Sequence, residues 1–232
     1  MTDVRDNAVL AVLPDDELAD VVARGRLQHV DARAAVYESG ALIDHVQFPV
    51  TAVFSFVVVI DGEPAVEVGT IGREGMVGLP LFLGATTSPN AAFCQVPGRT
   101  LRLDAGDFRQ LLSADGALQR QLHRFVQATM VQLSQNVACN RLHPTRQRAC
   151  RWLLMTEDRV GSPKFGLTHE FLAQMLGVRR ATVSEAASSL QADGLIRYAR
   201  GVVEIVDRPG LETAACPCYD TIRRAFDTLR AR

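Results

Sequence analysis

Hydrophobic residues recur at helical spacing in two short segments within residues 167–196, and a glycine, Gly177, stands between them. A glycine in this place ends a helix at little cost, because it adopts the left-handed conformation freely. Two short helices with one apolar stripe each must bury the stripes against one another. The pattern therefore predicts a helix–turn–helix. Its apolar positions are Leu172, Ala173, Leu176, Val183, Ala186, Ala187 and Leu190.

The second helix of this pair begins with polar residues, among them Arg179 and Arg180. A recognition helix contacts base edges with its N-terminal residues, and an arginine can bond guanine through two hydrogen bonds. We therefore predict DNA binding; two ordinary surface arginines on a helical hairpin are the alternative. Residues 196–205 have the form of a two-stranded wing that could contact phosphate. The predicted DNA-binding residues are Thr168, Arg179, Arg180, Thr182, Ser184, Glu185, Arg197 and Arg200.

Apolar residues recur at helical spacing after residue 114. Successive members of this seam are four, four, three and four residues apart: Leu122, Val126, Met130, Leu133 and Val137. A helix of about 25 residues would be ~37 Å long, and it could pack against its twin in a homodimer. Packing only against its own β-domain is the alternative. His143 and Pro144 end the run, because the residue before a proline is disfavoured in a helix. The predicted interface consists of Leu122, Phe125, Val126, Met130, Leu133 and Val137.

Residues 27–104 alternate short β-prone runs with Gly, Pro and Asp, which predicts a β-barrel, roll or sandwich. Asp61-Gly62 between two such runs indicates a hairpin. Residues 7–25 read as a helical lead-in, and residues 211–229 as one amphipathic terminal helix. The fold class is thus α+β. Three parts are expected: residues 1–113 as an N-terminal β-roll, residues 114–142 as a dimerisation helix, and residues 143–232 as the DNA-binding domain.

Charge is distributed unevenly along the chain. Residues 1–140 carry 10 basic and 16 acidic side chains, whereas residues 141–210 carry 11 basic and seven acidic ones. An acidic front joined to a basic back is typical of a regulatory domain attached to a DNA-binding one. No apolar run approaches the ~20 residues of a membrane span, and the N-terminus lacks the pattern of a signal peptide. We expect a cytoplasmic protein without a membrane partner.

Cysteine and histidine patterns do not indicate an enzyme or a metal site. The five cysteines are odd in number and irregularly spaced, as in a reducing compartment. Cys216-Pro-Cys218 is interpreted as two terminal cysteines without a partner, with a redox or metal role as the alternative. The five histidines form no HExxH or closely spaced ligand pair, and no GxSxG motif occurs. We expect no cofactor.

A β-roll, a long helix and a winged helix–turn–helix in this order resemble the Crp/Fnr family of bacterial transcription regulators. The resemblance covers nearly the whole chain and is strongest over residues 146–206. It implies a homodimer, a cyclic-nucleotide-binding-like β-roll, and promoter binding that recruits or blocks RNA polymerase. An effector-binding β-roll protein with vestigial DNA binding is the alternative function.

The glycine-rich segment of residues 69–84 departs from the family pattern that binds cyclic AMP. That pattern reads Gly-Glu-Leu-Gly followed by an arginine for the cyclic phosphate. Here the similar stretch is Gly75-Met76-Val77-Gly78, and residues 88–92 contain no arginine. A buried phosphate without a cationic partner is costly. We therefore expect no cyclic AMP and an unknown effector or none; a purely structural corner of the roll is equally compatible with the glycines.

Two further departures concern iron and the DNA sequence that is read. The oxygen sensors of the family use an N-terminal cysteine cluster, but the first cysteine here is Cys94, so an iron–sulfur centre of that kind is not expected.

Many members of the family read DNA with an Arg or Val, then a Glu, and then an Arg four residues after the Glu. Arg180 matches the first position, whereas Ala181 and Glu185 replace the others. The resemblance thus implies an operator that differs from the usual TGTGA-type half-site.

Overall fold

A computed structural model describes residues 3–60, 66–112 and 116–230. The chain begins with a short 3₁₀ helix (Val4–Asp6) and two helices, α1 (Ala8–Ala11) and α2 (Asp15–Arg24). Asn7 caps α1 by accepting the N–H groups of Val9 and Leu10. Three acidic residues occupy the first turn of α2, where carboxylates suit the positive helix end. The helical lead-in predicted for residues 7–25 is present.

Two antiparallel sheets form the β-roll. One has the order β1 (Arg26–Val30), β7 (Gly98–Asp104), β3 (His45–Pro49), and the other the order β2 (Ala35–Tyr37), β6 (Ala91–Val96), β4 (Val53–Val58), β5 (Val66–Ile71). Two short helices, α3 (Leu79–Phe82) and α4 (Ala105–Leu111), complete it. The sheets bury large side chains between them, including Phe48, Phe54, Leu101, Leu103 and Phe108. This confirms the predicted β-roll; the Asp61-Gly62 hairpin lies outside the described residues.

The long helix α5 (Ala117–Leu142) has 26 residues, which corresponds to about 39 Å at the usual helical rise. His143 follows in extended conformation, and Pro144 then stands at the N-cap of the next helix, α6 (Thr145–Val160). The long helix and its end at His143-Pro144 agree with the sequence pattern.

The inner face of α5 corrects part of the predicted dimer interface. Leu122 and Phe125 are fully buried within their own chain. Phe125 packs against Gly75 and against Phe226 near the C-terminus. A second copy could therefore not reach these two side chains. Helix α5 has one apolar face that packs on its own chain, where Leu122 and Phe125 lie, and another apolar face that is exposed.

The C-terminal part continues through β8 (Lys164–Gly166), α7 (His169–Leu176), α8 (Arg180–Ala192), β9 (Ile196–Ala199), β10 (Val202–Ile205), α9 (Arg208–Ala214) and α10 (Cys218–Asp227). Strand β10 lies between β8 and β9, so the predicted two-stranded wing has a third strand. The predicted single terminal helix is wrong: α9 ends at Ala214 and α10 begins at Cys218. Pro217 lies between them, and it has no N–H for a continuous helix.

The C-terminal part packs directly on the β-roll. The Trp152 ring nitrogen of α6 donates to Glu67 of β5 at 3.1 Å. Phe171 of α7 meets Phe93 of β6 and Trp152 edge to face, with ring centroids 6.2 and 6.4 Å apart. Buried residues of both parts belong to one hydrophobic cluster. The orientation of the helix–turn–helix relative to the β-roll is thus determined by packed side chains.

A buried arginine connects three of these elements. Arg159 of α6 donates to Glu74 at 2.6 Å, to Gln132 of α5 at 2.8 Å and to the Thr70 hydroxyl of β5. Arg73 reaches in the opposite direction and donates to the Asp158 carbonyl at 2.7 and 3.0 Å. Arg73 and Glu74 therefore hold α6 against the β-roll.

In the part of the chain that the structure describes, none of the helices is both long and apolar enough to pass through a lipid bilayer.

Replacing Gly75 by alanine tests the contact between the β-roll and α5. A Cβ atom at this position would lie 2.1 Å from Phe125 Cε2, so Gly75→Ala should destabilise the protein by about 1–3 kcal/mol through overpacking. Gly106→Ala in α4 is the control, because its Cβ would meet nothing within 4 Å. Urea unfolding followed by circular dichroism measures both; equal stability of the two variants would contradict the assigned contact.

Candidate nucleic-acid interface

Helix α7 begins and ends with specific caps. The Thr168 hydroxyl accepts the Phe171 N–H at 3.1 Å. Gly177 has a φ of +61°, and the Val178 N–H returns to the Ala173 carbonyl at 3.0 Å. This is the hydrogen-bond pattern of a helix that ends in a left-handed residue. The turn therefore places α8 across α7, as the apolar pattern predicted.

Helix α8 has one buried face and one exposed face. Val183, Ala186, Ala187 and Leu190 are buried against α6, α7 and the wing. Arg179 is the N-cap residue of α8, and Arg180 is its first residue. Both side chains are exposed, and so is Glu185 one turn later. The end of α8 that would enter a groove is therefore an exposed, arginine-bearing tip, where Arg180 Nε lies 3.9 Å from a carboxylate oxygen of Glu170.

Two predicted contact residues are already engaged within the protein. The Ser184 hydroxyl donates to the Arg180 carbonyl at 3.1 Å and lies 3.0 Å from the His169 ring. The Thr168 hydroxyl caps α7, as described above. Thr182 is only half-buried. Ser184 and Thr168 thus have structural tasks that the sequence pattern did not separate from DNA contact.

The wing adds further positive charge. Arg197 of β9 pairs with Glu204 of β10 at 3.0 Å, with most of the arginine side chain exposed. Arg200 lies at the β9–β10 turn with a φ of +51°, followed by Gly201 at +76°. An arginine at such a tip can reach the phosphate backbone beside the groove. Exposed ion pairs contribute little energy, so Arg197 could exchange its partner for a phosphate.

Sequence reasoning missed two residues behind the tip, His169 and Tyr198. Their rings lie 4.4 Å apart, and the Tyr198 hydroxyl donates to the Leu167 carbonyl. Burial, and then the nearby Arg180 charge, lower the pKa of His169. The lowered pKa favours the neutral imidazole, which adds no positive charge beside Arg180. The sequence feature that could have indicated His169 is its position directly after Thr168, the N-cap residue of α7.

Comparisons with known proteins support both the helix–turn–helix and the overall fold. Residues 147–214 match the family model described as a Crp-like helix-turn-helix domain. The fold is similar to that of FixK2 from Bradyrhizobium japonicum, with a TM-score of 0.70, 14% identity, and coverage of 83% of this chain and 98% of the relative. The comparison with curated protein sequences found no match.

Two further solved structures share the fold. A putative Crp/Fnr regulator from Eubacterium rectale gives a TM-score of 0.67 at 14% identity, covering 89% of this chain and 96% of that one. The c-di-GMP-responsive regulator CLP from Xanthomonas campestris gives 0.63 at 15%, covering 83% and 99%. Residues 147–214 thus match a Crp-like helix-turn-helix domain, and the chain as a whole shares the fold of these regulators.

In this chain the stretch predicted to contact an effector is mostly core. Met76 and Val77 are fully buried, and Gly75 presses against Phe125. Val77 also exchanges backbone hydrogen bonds with Gln47 of β3. Gly78, the last of the four predicted residues, lines a cavity. Gly75, Met76 and Val77 are therefore corrected to structural positions, because the segment turns inward to join β5 to β3.

The cavity that Gly78 lines lies between the β-roll and α5 and has a volume of about 190 Å³. Apolar groups dominate its walls, and its described lining includes no arginine or lysine. It is smaller than most pockets for drug-sized ligands, which begin near 300 Å³. Its principal walls are Tyr37, Phe56, Val68, Ile71, Leu79, Leu83, Thr129, Gln132 and Leu133.

The chain also holds a buried carboxyl group where the β-roll meets the C-terminal part. Glu67 accepts hydrogen bonds from Ser55 at 2.8 Å and from Trp152 at 3.1 Å. Burial raises the pKa of Glu67 to about 7, although those hydrogen bonds and the nearby Arg159 and Arg151 charges act in the opposite direction. The contact between β5 and α6 is thus a place where a proton can be held near neutral pH.

The structure contradicts the interpretation of Cys216 and Cys218 as cysteines without partners. Cys216 Sγ lies 3.4 Å from Cys139 Sγ, and Cys218 Sγ lies 3.6 Å from His143 Nδ1. All five cysteines, which fall within the described ranges, have free thiols. The sequence feature that could have indicated this cluster is the spacing of Cys139 and His143, four residues apart at the end of one helix. Their partners Cys216 and Cys218 lie about 75 residues further along the chain.

Arg180→Ala tests the arginine-bearing tip of α8. Loss of a two-bond contact with guanine should weaken binding to a selected genomic fragment by ~1–3 kcal/mol and relax base preference at one position. Fluorescence anisotropy at fixed salt measures the affinity for the fragment and for random DNA. Arg26→Ala on the exposed face of β1 is the control. An equal loss on both DNAs would make Arg180 a phosphate contact instead.

Proposed function

We propose that this chain is a Crp/Fnr-type transcription regulator that binds a two-fold symmetric DNA site as a homodimer, with one copy of α8 in each of two major grooves. The observation that carries the proposal is the exposed pair Arg179 and Arg180 at the start of a helix whose opposite face is fully buried. Recognition helices of this class contact bases with that end, in dimers whose half-sites are about one helical turn apart.

The outward face of α5 supports the dimer. We call Val126, Met130, Leu133 and Val137 the α5 strip. Met130, Leu133 and Val137 are 59%, 41% and 73% exposed, and Val126 is partly buried. Contiguous exposed apolar side chains at helical spacing are costly in water and mark interaction surfaces. A second copy of α5 offers the same strip, as a two-fold symmetric interface requires.

The cavity beside α5 supports a role for an effector. Leu133 lines the cavity and also belongs to the α5 strip. A ligand in the cavity would therefore touch the helix through which two copies pair. The apolar walls fit a small uncharged molecule, whereas the charge of a cyclic phosphate would have no cationic partner among the described lining residues.

Action on transcription belongs to the same proposal. A dimer of this fold bound at a promoter would recruit or block RNA polymerase, and the support for that partner is the likeness to Crp/Fnr regulators. A β-roll protein whose helix–turn–helix no longer binds DNA is the second candidate. It predicts equally weak binding to selected and random DNA at physiological salt.

Met130→Asp tests the dimer. A carboxylate at the middle of the α5 strip should give monomers in light scattering, because two like charges would meet across the two-fold axis. Operator affinity should fall by about 10²-fold or more, since the two half-sites no longer act together. Gln127→Asp, exposed on the same helix outside the strip, should remain dimeric. A native chain that is monomeric at micromolar concentration would refute the dimer.

Isothermal calorimetry with cyclic AMP tests the proposed chemistry of the cavity. The native dimer should show no specific heat of binding and no change in operator affinity, because a buried phosphate would lack an arginine. Leu79→Trp should fill the cavity, so it serves as the control that tells whether any observed heat of binding comes from the cavity. A micromolar complex that Leu79→Trp abolishes would show that the cavity accepts a cyclic nucleotide.

A further inference from the structure

Three cysteines and one histidine from distant segments converge at the C-terminal end of α5. Cys139 belongs to α5 itself, and His143 is the C-cap residue of that helix. Cys216 lies in the connection after α9, and Cys218 is the first residue of α10. Their ligand atoms all lie within 4.8 Å of one another. The three thiols are almost completely shielded from solvent.

Two of these separations are close to those around one tetrahedral ion. With Zn–S bonds of about 2.3 Å and Zn–N bonds of about 2.0–2.1 Å, tetrahedral angles place two sulfur ligands ~3.8 Å apart and a sulfur and a nitrogen ~3.5 Å apart. The Cys139–Cys216 sulfurs are 3.4 Å apart, and the Cys218 sulfur lies 3.6 Å from the His143 nitrogen. A cluster of several irons and sulfides needs ligands spread more widely.

The surroundings suit the charge of such a site. Three thiolates, one neutral imidazole and Zn²⁺ carry a net charge of −1. The guanidinium groups of Arg148 and Arg151 interact electrostatically with the cysteine cluster. Both arginines are buried in α6, where a negative partner offsets the cost of burying them.

We propose that Cys139, His143, Cys216 and Cys218 form a structural zinc site. Three cysteines and one histidine are an ordinary ligand set for zinc, and four protein ligands leave no open position for catalysis. A covalent Cys139–Cys216 bridge is not present, because the two sulfurs are further apart than the ~2.05 Å of a disulfide.

The location of the site indicates what the metal does. It joins the end of α5, just before Pro144, to the segment that begins α10. Helix α10 packs along α5. The ring centroids of Phe226 and Phe125 lie 6.3 Å apart, and the Gln121 side chain donates to the Leu229 carbonyl. Zinc would therefore fasten the C-terminal segment to the helix that carries the α5 strip, beside the junction with the DNA-binding domain.

The test uses the full chain, purified without a histidine tag or chelator under anaerobic, reducing conditions. Plasma mass spectrometry should find about one zinc per chain, the stoichiometry of a four-ligand structural site. Cys218→Ala should lose most of this zinc. Cys150→Ala is the matched control, because Cys150 is also buried but lies outside the cluster, and it should retain the metal.

A second measurement on the native chain guards against misfolding of Cys218→Ala. Cobalt exchanged for zinc should give the intense absorption of a tetrahedral, thiolate-ligated ion, and zinc should displace it. Removal of zinc should also speed amide exchange in α10 but not in β1. Equal zinc in native protein and a folded Cys218→Ala, a metal-free native chain, a Cys139–Cys216 disulfide, or iron with acid-labile sulfide would each overturn the proposal.

Discussion

The buried guanidinium of Arg159 is the interaction on which the arrangement of the molecule depends. It bonds the carboxylate of Glu74, the hydroxyl of Thr70 and the amide of Gln132, and so joins α6 to the β-roll and to α5 at one point. Removing one partner of a buried ion pair typically costs several kcal/mol. The position of the DNA-binding part relative to the β-roll therefore rests on polar contacts that tolerate little displacement.

Helix α5 connects the remaining features, because different faces of it serve different purposes. Leu122 and Phe125 fill the core, Gln132 meets Arg159, and Leu133 borders both the cavity and the outer strip. A ligand beside α5 and a second copy on its outer face would thus act on the same helix. Packed interiors change between discrete arrangements rather than deform continuously, which is how small shifts at one site reach another.

The C-terminal segment adds a second connection to the same helix. Helix α10 lies along α5 and brings Cys218 to His143 and Phe226 to Phe125. The acidic groups Glu157 and Asp158 at the end of α6 meanwhile hold Arg208 at the start of α9, at 2.7 Å each. Helix α9 is thus attached to α6, and α10 is attached to α5.

Local periodicity alone determined the helix–turn–helix, the long helix and the β-roll, because caps, turn glycines and apolar spacing act over a few residues. The exposed arginines of α8 followed from the same local pattern. Only the tertiary structure decided which apolar residues of α5 face inward, since Leu122 and Leu133 look alike in sequence. It also brought Cys139 to Cys216, and it turned Gly75, Met76 and Val77 into core. Contacts between residues so far apart depend on how whole elements pack, which no local spacing records.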